Sequence, residues 1–115
     1  MATVNITTQN DADFIRAFAY QTVSGTPIDL TGDKMRMGVR RHASDATEQL
    51  LLTTENGGLE ITDAPNGRFQ VWITNEQLLL LPLGDYDHSL IRIVPTGMQL
   101  RVWSGALTVN PGPSR

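Results

Sequence analysis

The sequence has no cysteine, few aromatic residues and no long apolar run. Its 115 residues include only two tryptophans, two tyrosines and three phenylalanines. The absence of cysteine excludes disulfide frameworks, thiolate metal sites and cysteine nucleophiles. No apolar stretch approaches the ~20 residues of a membrane-spanning helix, and residues 1–5 lack the basic-then-apolar pattern of a signal peptide. We therefore expect neither a signal peptide nor contact with a membrane.

The net charge is also small. Nine Lys+Arg against twelve Asp+Glu give a net charge of −3, which argues against a nucleic-acid-binding protein held by bulk electrostatic attraction. The hydrophobic content of 40 % is that of a folded domain rather than a disordered chain. The length suits a single domain, which at this size can bury one core without metal or disulfides. We predict one domain over residues 1–110 and a flexible C-terminal tail over residues 111–115.

Apolar and polar residues alternate through most of the chain, which is the two-residue period of a β-strand. The clearest strand places Phe69, Val71 and Ile73 on one face and Trp72 on the opposite face. Residues 34–41 alternate in the same way, and their apolar face consists of Met35, Met37 and Val39. Both segments are therefore predicted to be strands with one buried face.

Turn signals and one helix signal separate the strands. Thr74 and Gln77 match the Ser/Thr-x-x-Glu/Gln capping box, which predicts a short helix. Asp29 is expected to accept backbone hydrogen bonds in its turn. Gly105, inside the last strand, indicates a bulge or a close approach of two backbones. The residues predicted to set turns and register are Asp29, Gly32, Asn56, Gly57, Gly67, Pro82, Gly84 and Gly105.

The spacing of the strands predicts the fold class. Short strands separated by about 8–12 residues are typical of a β-sandwich or a small barrel. For residues 12–22 a strand is favoured by aromatic and β-branched content, with a helix as the alternative because alanine is frequent there. A sandwich is favoured over a barrel because several strands are apolar on one face only. We predict an all-β fold: an immunoglobulin-like antiparallel β-sandwich of about eight strands, with one short helix near residues 75–81.

No arrangement of reactive side chains indicates an enzyme. His42 and His88 lie in unrelated segments, and although Asp85 and Asp87 precede His88 as in a chelating string, Asp87 faces away from His88 in a strand. No serine lies on the sharp glycine turn of a hydrolase, and no glycine-rich loop could hold a phosphate. We predict a non-enzymatic protein with no catalytic residue, no cofactor and no metal. An enzyme stays the alternative only if Asp85, Asp87 and His88 converge in a pocket.

A short basic strip lies on the polar face of the strand at residues 34–41. Lys34, Arg36 and Arg40 share that face, whereas Arg41 is turned to the other one. The strip either meets an acidic partner or a phosphate chain, or it is a solvated sheet face that pairs across strands with Glu48 or Glu60. The solvated face is favoured because a chain of charge −3 gives little long-range attraction to nucleic acid.

Two other features are candidate interfaces. Trp72, on the polar face of its strand, is either covered by a loop or offered to a partner, since tryptophan is enriched at interface anchors. The face taken by Trp103 is ambiguous because a bulge at Gly105 would reverse it. Residues 4–8, with Val4 and Ile6, are the predicted pairing or swapping strand, because an uncovered edge strand is a template for a partner strand.

The order of these fragments resembles a known class of proteins. The resemblance covers about residues 12–109 and depends on the order and spacing of short motifs rather than on any one of them. The motifs are residues 27–32, the strand 35–41, the Asn56-Gly57 turn, the strand start 67–69, residues 77–86 and the strand with Gly105, Leu107 and Val109. In this respect the chain is similar to small β-sandwich structural proteins of tailed phages and prophages, and to the virion-attaching N-terminal domains of baseplate and tail-fibre proteins.

The resemblance implies a non-enzymatic structural component of a virion, such as a tail, baseplate or fibre-attachment adaptor. It implies a homo-oligomer that contacts itself and other tail or connector proteins, assembled in the cytoplasm of a bacterial host, with no cofactor and no small-molecule substrate. Nucleic acid is not an expected partner. The alternative is a carbohydrate- or ligand-binding β-sandwich module that uses an exposed Trp72 or Trp103 as a stacking platform.

Overall fold

The computed structural model describes residues 2–114 of the chain. Within that range there is one short α-helix, α1 (Asn75–Leu80), and one 3-10 turn at Ala64–Asn66, and neither is long and apolar enough to cross a membrane. The strands are β1 (Ala2–Thr3), β2 (Ile6–Gln9), β3 (Phe14–Ala19), β4 (Lys34–Arg40), β5 (Leu50–Thr53), β6 (Leu59–Asp63), β7 (Arg68–Ile73), β8 (Gly84–Ile93) and β9 (Gln99–Asn110).

The strands form two sheets that pack face to face. In the larger sheet the order is β1-β9-β8-β4-β5, and β2 continues the line of β1 along β9. The smaller sheet has the order β3-β7-β6. The chain thus crosses between the sheets several times: β4 and β5 lie in the larger sheet, β6 and β7 in the smaller one, and β8 and β9 in the larger one again. The predicted all-β sandwich with a short helix is confirmed, but the fold is not fully antiparallel, because β1 and β2 both run parallel to β9.

The core consists of the alternate residues that face between the sheets. Phe69, Val71 and Ile73 from the smaller sheet are buried. They oppose buried residues of the larger sheet that include Met35, Met37, Val39, Leu52, Leu90 and Leu107. The predicted periodicity of β4 and β7 is confirmed, as is the assignment of β3 to a strand rather than a helix.

Alternation fails at one place in β9, where Val102 and Trp103 are adjacent and both buried. Leu90 pairs with Trp103 while Ile91 pairs with Arg101, so Val102 is an extra residue in the ladder. A bulge of this kind lets two successive side chains point to the same side. The bulge lies at Val102 and not at Gly105, and it places Trp103 in the core.

Gly105 instead marks the predicted close approach of two backbones. A Cβ at this position would overlap the carbonyl oxygen of Val4. We call β1, β2 and the two residues between them the first strand. It is held at Gly105 by two hydrogen bonds: the Val4 N–H donates to the carbonyl of Ser104 (2.9 Å), and Asn5 Oδ1 accepts from the N–H of Ala106 (3.0 Å). Any side chain at Gly105 would therefore push the first strand away from β9.

The first strand is not a free pairing strand. Ile6 is buried in the core, Val4 is half-buried, and β2 already pairs with β9 of the same chain. The prediction of Ile6 as an interface residue is wrong for this fold, because pairing with β9 turns its side chain between the sheets.

The helix and the strand after it follow the predicted signals. Thr74 Oγ1 accepts from the Gln77 N–H (3.2 Å), and Gln77 Oε1 accepts from the Thr74 N–H (2.9 Å), which completes the capping box. After the helix ends, the Tyr86 hydroxyl donates to the carbonyl of Pro82. This bond at the entry to β8 is the tyrosine corner of immunoglobulin-like domains. The Arg41 guanidinium lies 4.7 Å from the Tyr86 ring centre, turned away from the basic strip as predicted.

The other predicted turn residues also act as expected. Asp29 Oδ1 accepts from the Thr31 N–H (2.8 Å) and hydroxyl (2.6 Å). These bonds lower the pKa of the Asp29 carboxyl. Asn56 Oδ1 accepts from two backbone N–H groups at 2.9 Å and so closes its turn. Positive φ, which glycine tolerates, occurs at Gly32, Gly57, Gly67 and Gly84.

The segment after β9 is hydrogen-bonded to the residues that follow β2. Gly112 is buried and its N–H donates to Asn10 Oδ1 (2.9 Å). The Ser114 N–H donates to Asp11 Oδ2 (3.2 Å). Gly112 and Ser114 are thus hydrogen-bonded to residues 10 and 11, the flexibility predicted for residues 111–115 stays a prediction, and Arg115 lies outside the described range.

Candidate interaction surfaces

The basic strip is paired with carboxylates on the outer face of the larger sheet. Lys34 Nζ lies 3.8 Å from Glu55 Oε1, and Arg36 and Arg40 lie 3.9 and 3.7 Å from the same oxygen of Glu48. The predicted pairing with Glu48 is confirmed. The predicted alternative, Glu60, lies in the smaller sheet, and its carboxylate accepts from the Gln70 amide (3.3 Å) instead.

Two residues of the basic strip, Arg36 and Arg40, line one wall of an open groove of about 540 Å³ across strands β4, β8 and β9. We call it the arginine groove; its lining includes Arg36, Gly38, Arg40, Glu48, Asp87, Ser89, Ile91, Arg101 and Ser104. Its floor is low because Gly38, Ser89 and Ser104 pair in one row across the three strands. A Cβ at Gly38 would lie 2.8 Å from Glu48 Oε2, so the missing side chain leaves room for that carboxylate.

The guanidinium groups of the groove differ in how many donors they use. Arg40 Nη1 donates to the carbonyls of Asp45 (3.2 Å) and Ala46 (2.9 Å). Arg36 and Arg101 donate no hydrogen bond to any residue in the range 2–114, and Arg101 has no ion pair in that range. Each arginine presents five N–H donors, so within the described residues Arg36 and Arg101 keep all of their donors unused, whereas Arg40 uses those of Nη1.

The candidate chelating string does not converge. Asp85 Oδ1 accepts from the Thr108 hydroxyl (2.7 Å), Asp87 Oδ2 accepts from the Ala43 N–H (2.9 Å), and His88 lies on the opposite, buried face of β8. Residues 2–114 contain no group of three side chains that could hold a metal ion. The convergence on which the enzyme alternative depended is therefore missing from the described part of the chain.

His88 belongs to the core. Its Nδ1 accepts from Trp103 Nε1 (3.3 Å), and its Nε2 lies 3.2 Å from the carbonyl of Ala106. The neutral ring with its proton on Nε2 satisfies both contacts. Burial lowers the pKa of His88 below its ordinary value, which favours this neutral form.

Trp103 is part of an aromatic cluster between the sheets. It is 4 % exposed, and its ring centre lies 4.7 Å from Phe18 and 5.6 Å from Phe69. It is therefore not accessible as a stacking platform for a ligand. The sequence could not assign its face because alternation counted forward from Leu100 buries Val102, whereas alternation counted back from the end of β9 buries Trp103.

Trp72 lies on the outer face of the smaller sheet, on the side of the molecule opposite the arginine groove. It is 39 % exposed, and its Nε1 donates to Asp13 Oδ2 (3.1 Å). Its cross-strand partner is Ile15, which is 59 % exposed, on the edge strand β3. We call these two side chains the Ile15–Trp72 patch. Ile15 was not among the predicted interface residues, although the alternation of β3 placed it opposite the phenylalanines.

Comparison with known proteins gives a likeness of fold only. No protein-family model and no curated protein matches the sequence. Among solved structures, murine CRIg is similar with a TM-score of 0.45 and 17 % identity over 92 % of each chain. AggA, the major subunit of aggregative adherence fimbriae type I from Escherichia coli, has a TM-score of 0.43 and 16 % identity over 94 % of this chain and 91 % of its own. Since one fold hosts many functions, these likenesses carry no argument about what the chain does.

Proposed function

We propose that the chain is a non-enzymatic structural protein that acts through protein–protein contacts, as a component of a tailed-phage or prophage particle. The assignment to a particle is supported by the order of motifs over residues 12–109, which resembles that of small virion β-sandwich proteins. The roles proposed for those motifs, such as the Asp29 turn and the Pro82–Tyr86 corner, are fold-determining. These roles support the shared β-sandwich architecture, whereas membership of a particle is inferred from the resemblance alone.

The Ile15–Trp72 patch carries the proposal of assembly. It lies beside the open edge of β3, which pairs with β7 on one side only. An edge strand offers unpaired backbone N–H and C=O groups to another strand. A neighbouring pair of exposed apolar side chains adds burial energy to such pairing. The partner at this edge is a second copy of the chain or a neighbouring particle protein.

Light scattering coupled to size-exclusion chromatography tests the self-assembly. The natural chain is expected to elute as an oligomer at high concentration, and Ile15→Lys is expected to shift it toward the monomer, because lysine on an edge strand opposes pairing. Thr62→Lys, an exposed position on β6 of the same sheet, is the matched control and should leave the mass unchanged. A natural chain that stays monomeric at every concentration contradicts self-assembly.

Membership of a particle has a separate test. Particles induced from the source strain are purified on a density gradient and their proteins are identified by mass spectrometry. The proposal expects this chain at a constant ratio to the tail proteins after washing with high salt. Its absence from intact particles, with the chain present in the soluble fraction, contradicts the proposal.

A further inference from the structure

We propose that the arginine groove binds a carboxylate-bearing segment of a partner protein, with Arg36 and Arg101 as its main contacts. The groove lies on the larger sheet, on the side of the molecule opposite the Ile15–Trp72 patch. The proposal therefore goes beyond the proposed self-assembly and does not depend on it.

Arg36 and Arg101 lie where one ligand can contact both of them. Arg36 and Arg101 both pair with Ile91 in one cross-strand row, on either side of β8. Two strand spacings separate their Cα atoms by about 10 Å, so both side chains can lean over Ile91 toward one group. Neither guanidinium donates a hydrogen bond within residues 2–114. One ligand above Ile91 can thus engage both.

A carboxylate of the chain itself already occupies one end of the groove. Glu48 Oε2 lies over Gly38 between Arg36 and Arg40, at 3.9 and 3.7 Å. These distances exceed hydrogen-bond length, so Glu48 offsets charge without using the guanidinium donors. A second carboxylate can form the paired N–H···O contacts that arginine makes with this group.

The acidic residues of the groove favour an acidic protein segment over a nucleic acid as its ligand. The carboxylates of Glu48 and Asp87 line the same groove as the three arginines. A nucleic-acid strand brings a phosphate at every nucleotide and would meet both acids, in a chain whose net charge is already −3. An isolated carboxylate on a folded partner can contact Arg36 and Arg101 and avoid Glu48 and Asp87. Arginine is also enriched at the centres of protein–protein interfaces.

The probe for this site is a terminally blocked six-residue peptide with a single glutamate among glycines, titrated into the isotope-labelled full chain and followed by amide chemical shifts. We expect saturable shifts at groove residues of β4, β8 and β9 and none at β3, β6 or β7. Arg101→Gln and Arg36→Gln should each weaken binding about tenfold, the effect of losing one charge-assisted hydrogen-bonded contact. Arg68→Gln, an exposed arginine of the smaller sheet, is the matched control and should change the affinity by less than about twofold.

Glu48→Gln gives a result that misfolding cannot imitate. Removing the carboxylate between Arg36 and Arg40 is expected to tighten binding of the single-glutamate peptide about two- to fivefold. Glu60→Gln removes the same charge from the smaller sheet and should have no such effect. Equal gains in the two variants would mean a response to net charge alone and would overturn the site.

Three further outcomes overturn the proposal. Absence of saturable shifts with the single-glutamate peptide rules out the site. If a six-nucleotide oligothymidylate binds more tightly than the peptide, the groove is a nucleic-acid site. If inorganic phosphate binds as tightly as the peptide, the groove is a general anion site. None of these results changes the association expected at the Ile15–Trp72 patch, so failure here is distinguishable from failure of the proposed function.

Discussion

The two tryptophans of the chain occupy opposite environments. Trp103 lies between Phe18 and Phe69 in the core, and its indole N–H donates to buried His88. Trp72 lies on the outer face of the smaller sheet, and its indole N–H donates to exposed Asp13. Both indoles are hydrogen-bonded, so a satisfied N–H does not tell a structural tryptophan from an interface tryptophan. The two rings differ in burial, because that of Trp103 is packed between phenylalanines and that of Trp72 is partly exposed.

The largest expected effect comes from removing the core tryptophan. Trp103→Ala is expected to lower the free energy of unfolding by about 3–5 kcal/mol, the range for truncating a large aromatic core residue. Denaturant unfolding followed by circular dichroism measures this loss. Trp72→Ala is the matched variant and should lose far less. Similar losses in the two variants would contradict the contrast between the two rings.

A somewhat smaller effect is expected at Gly105, two residues after Trp103 on β9. Gly105→Ala should cost about 1–3 kcal/mol, because its Cβ would displace the Val4 carbonyl and with it the first strand. Relative to the natural chain, amide hydrogen exchange in Gly105→Ala should accelerate more in β2 than in β8. Gly38→Ala is the control, since its Cβ meets only the flexible end of Glu48. An equal loss in both variants would mean that the first strand is not held at Gly105.

The contact between Trp103 and His88 predicts a pH dependence. Burial lowers the pKa of His88 in the folded chain below its ordinary value of 6.5, so the unfolded chain binds a proton more readily. The stability that follows from the neutral ring is fully present above pH 6.5 and is lost as the pH falls below it. Unfolding curves between about pH 7 and pH 5 should show this loss in the natural chain and in His42→Gln. A slope that survives unchanged in His88→Gln would contradict the assignment.

The smallest effect on stability is expected at the surface tryptophan. Trp72→Ala should lower the free energy of unfolding by less than about 1 kcal/mol, because the ring is partly exposed and its bond to Asp13 is at the surface. The same change should weaken self-association, which light scattering measures. A large stability loss with unchanged oligomer mass would place Trp72 with Trp103 as a structural residue.

Much of the fold follows from local patterns in the sequence. The alternation of β4 and β7, the capping box of Thr74 and Gln77 and the turn at Asp29 each involve residues close in the chain. Short-range spacing carries this information because side-chain direction in a strand and hydrogen bonding in a turn are local properties.

The remaining features depend on contacts between distant residues. The bulge at Val102 lies beside Trp103, and two adjacent apolar residues do not specify which of them is extra. The parallel pairing of β2 with β9 and the bond between Gly112 and Asn10 join the two ends of the chain. Likewise, the position of Glu48 over Gly38 fills a space that appears only when a loop folds back onto the sheet. The arginine groove could therefore be predicted only as a strip of like charge.

Amide hydrogen exchange, compared between dilute and concentrated natural chain, most directly tests where the molecule associates. The account predicts that amides of β3 gain protection as oligomers form, because the open edge beside Ile15 and Trp72 becomes paired. Amides of β4 and β8, already paired on both sides within the larger sheet, should not change. Protection that rises with concentration at another edge and not at β3, or no rise at any strand, would contradict it.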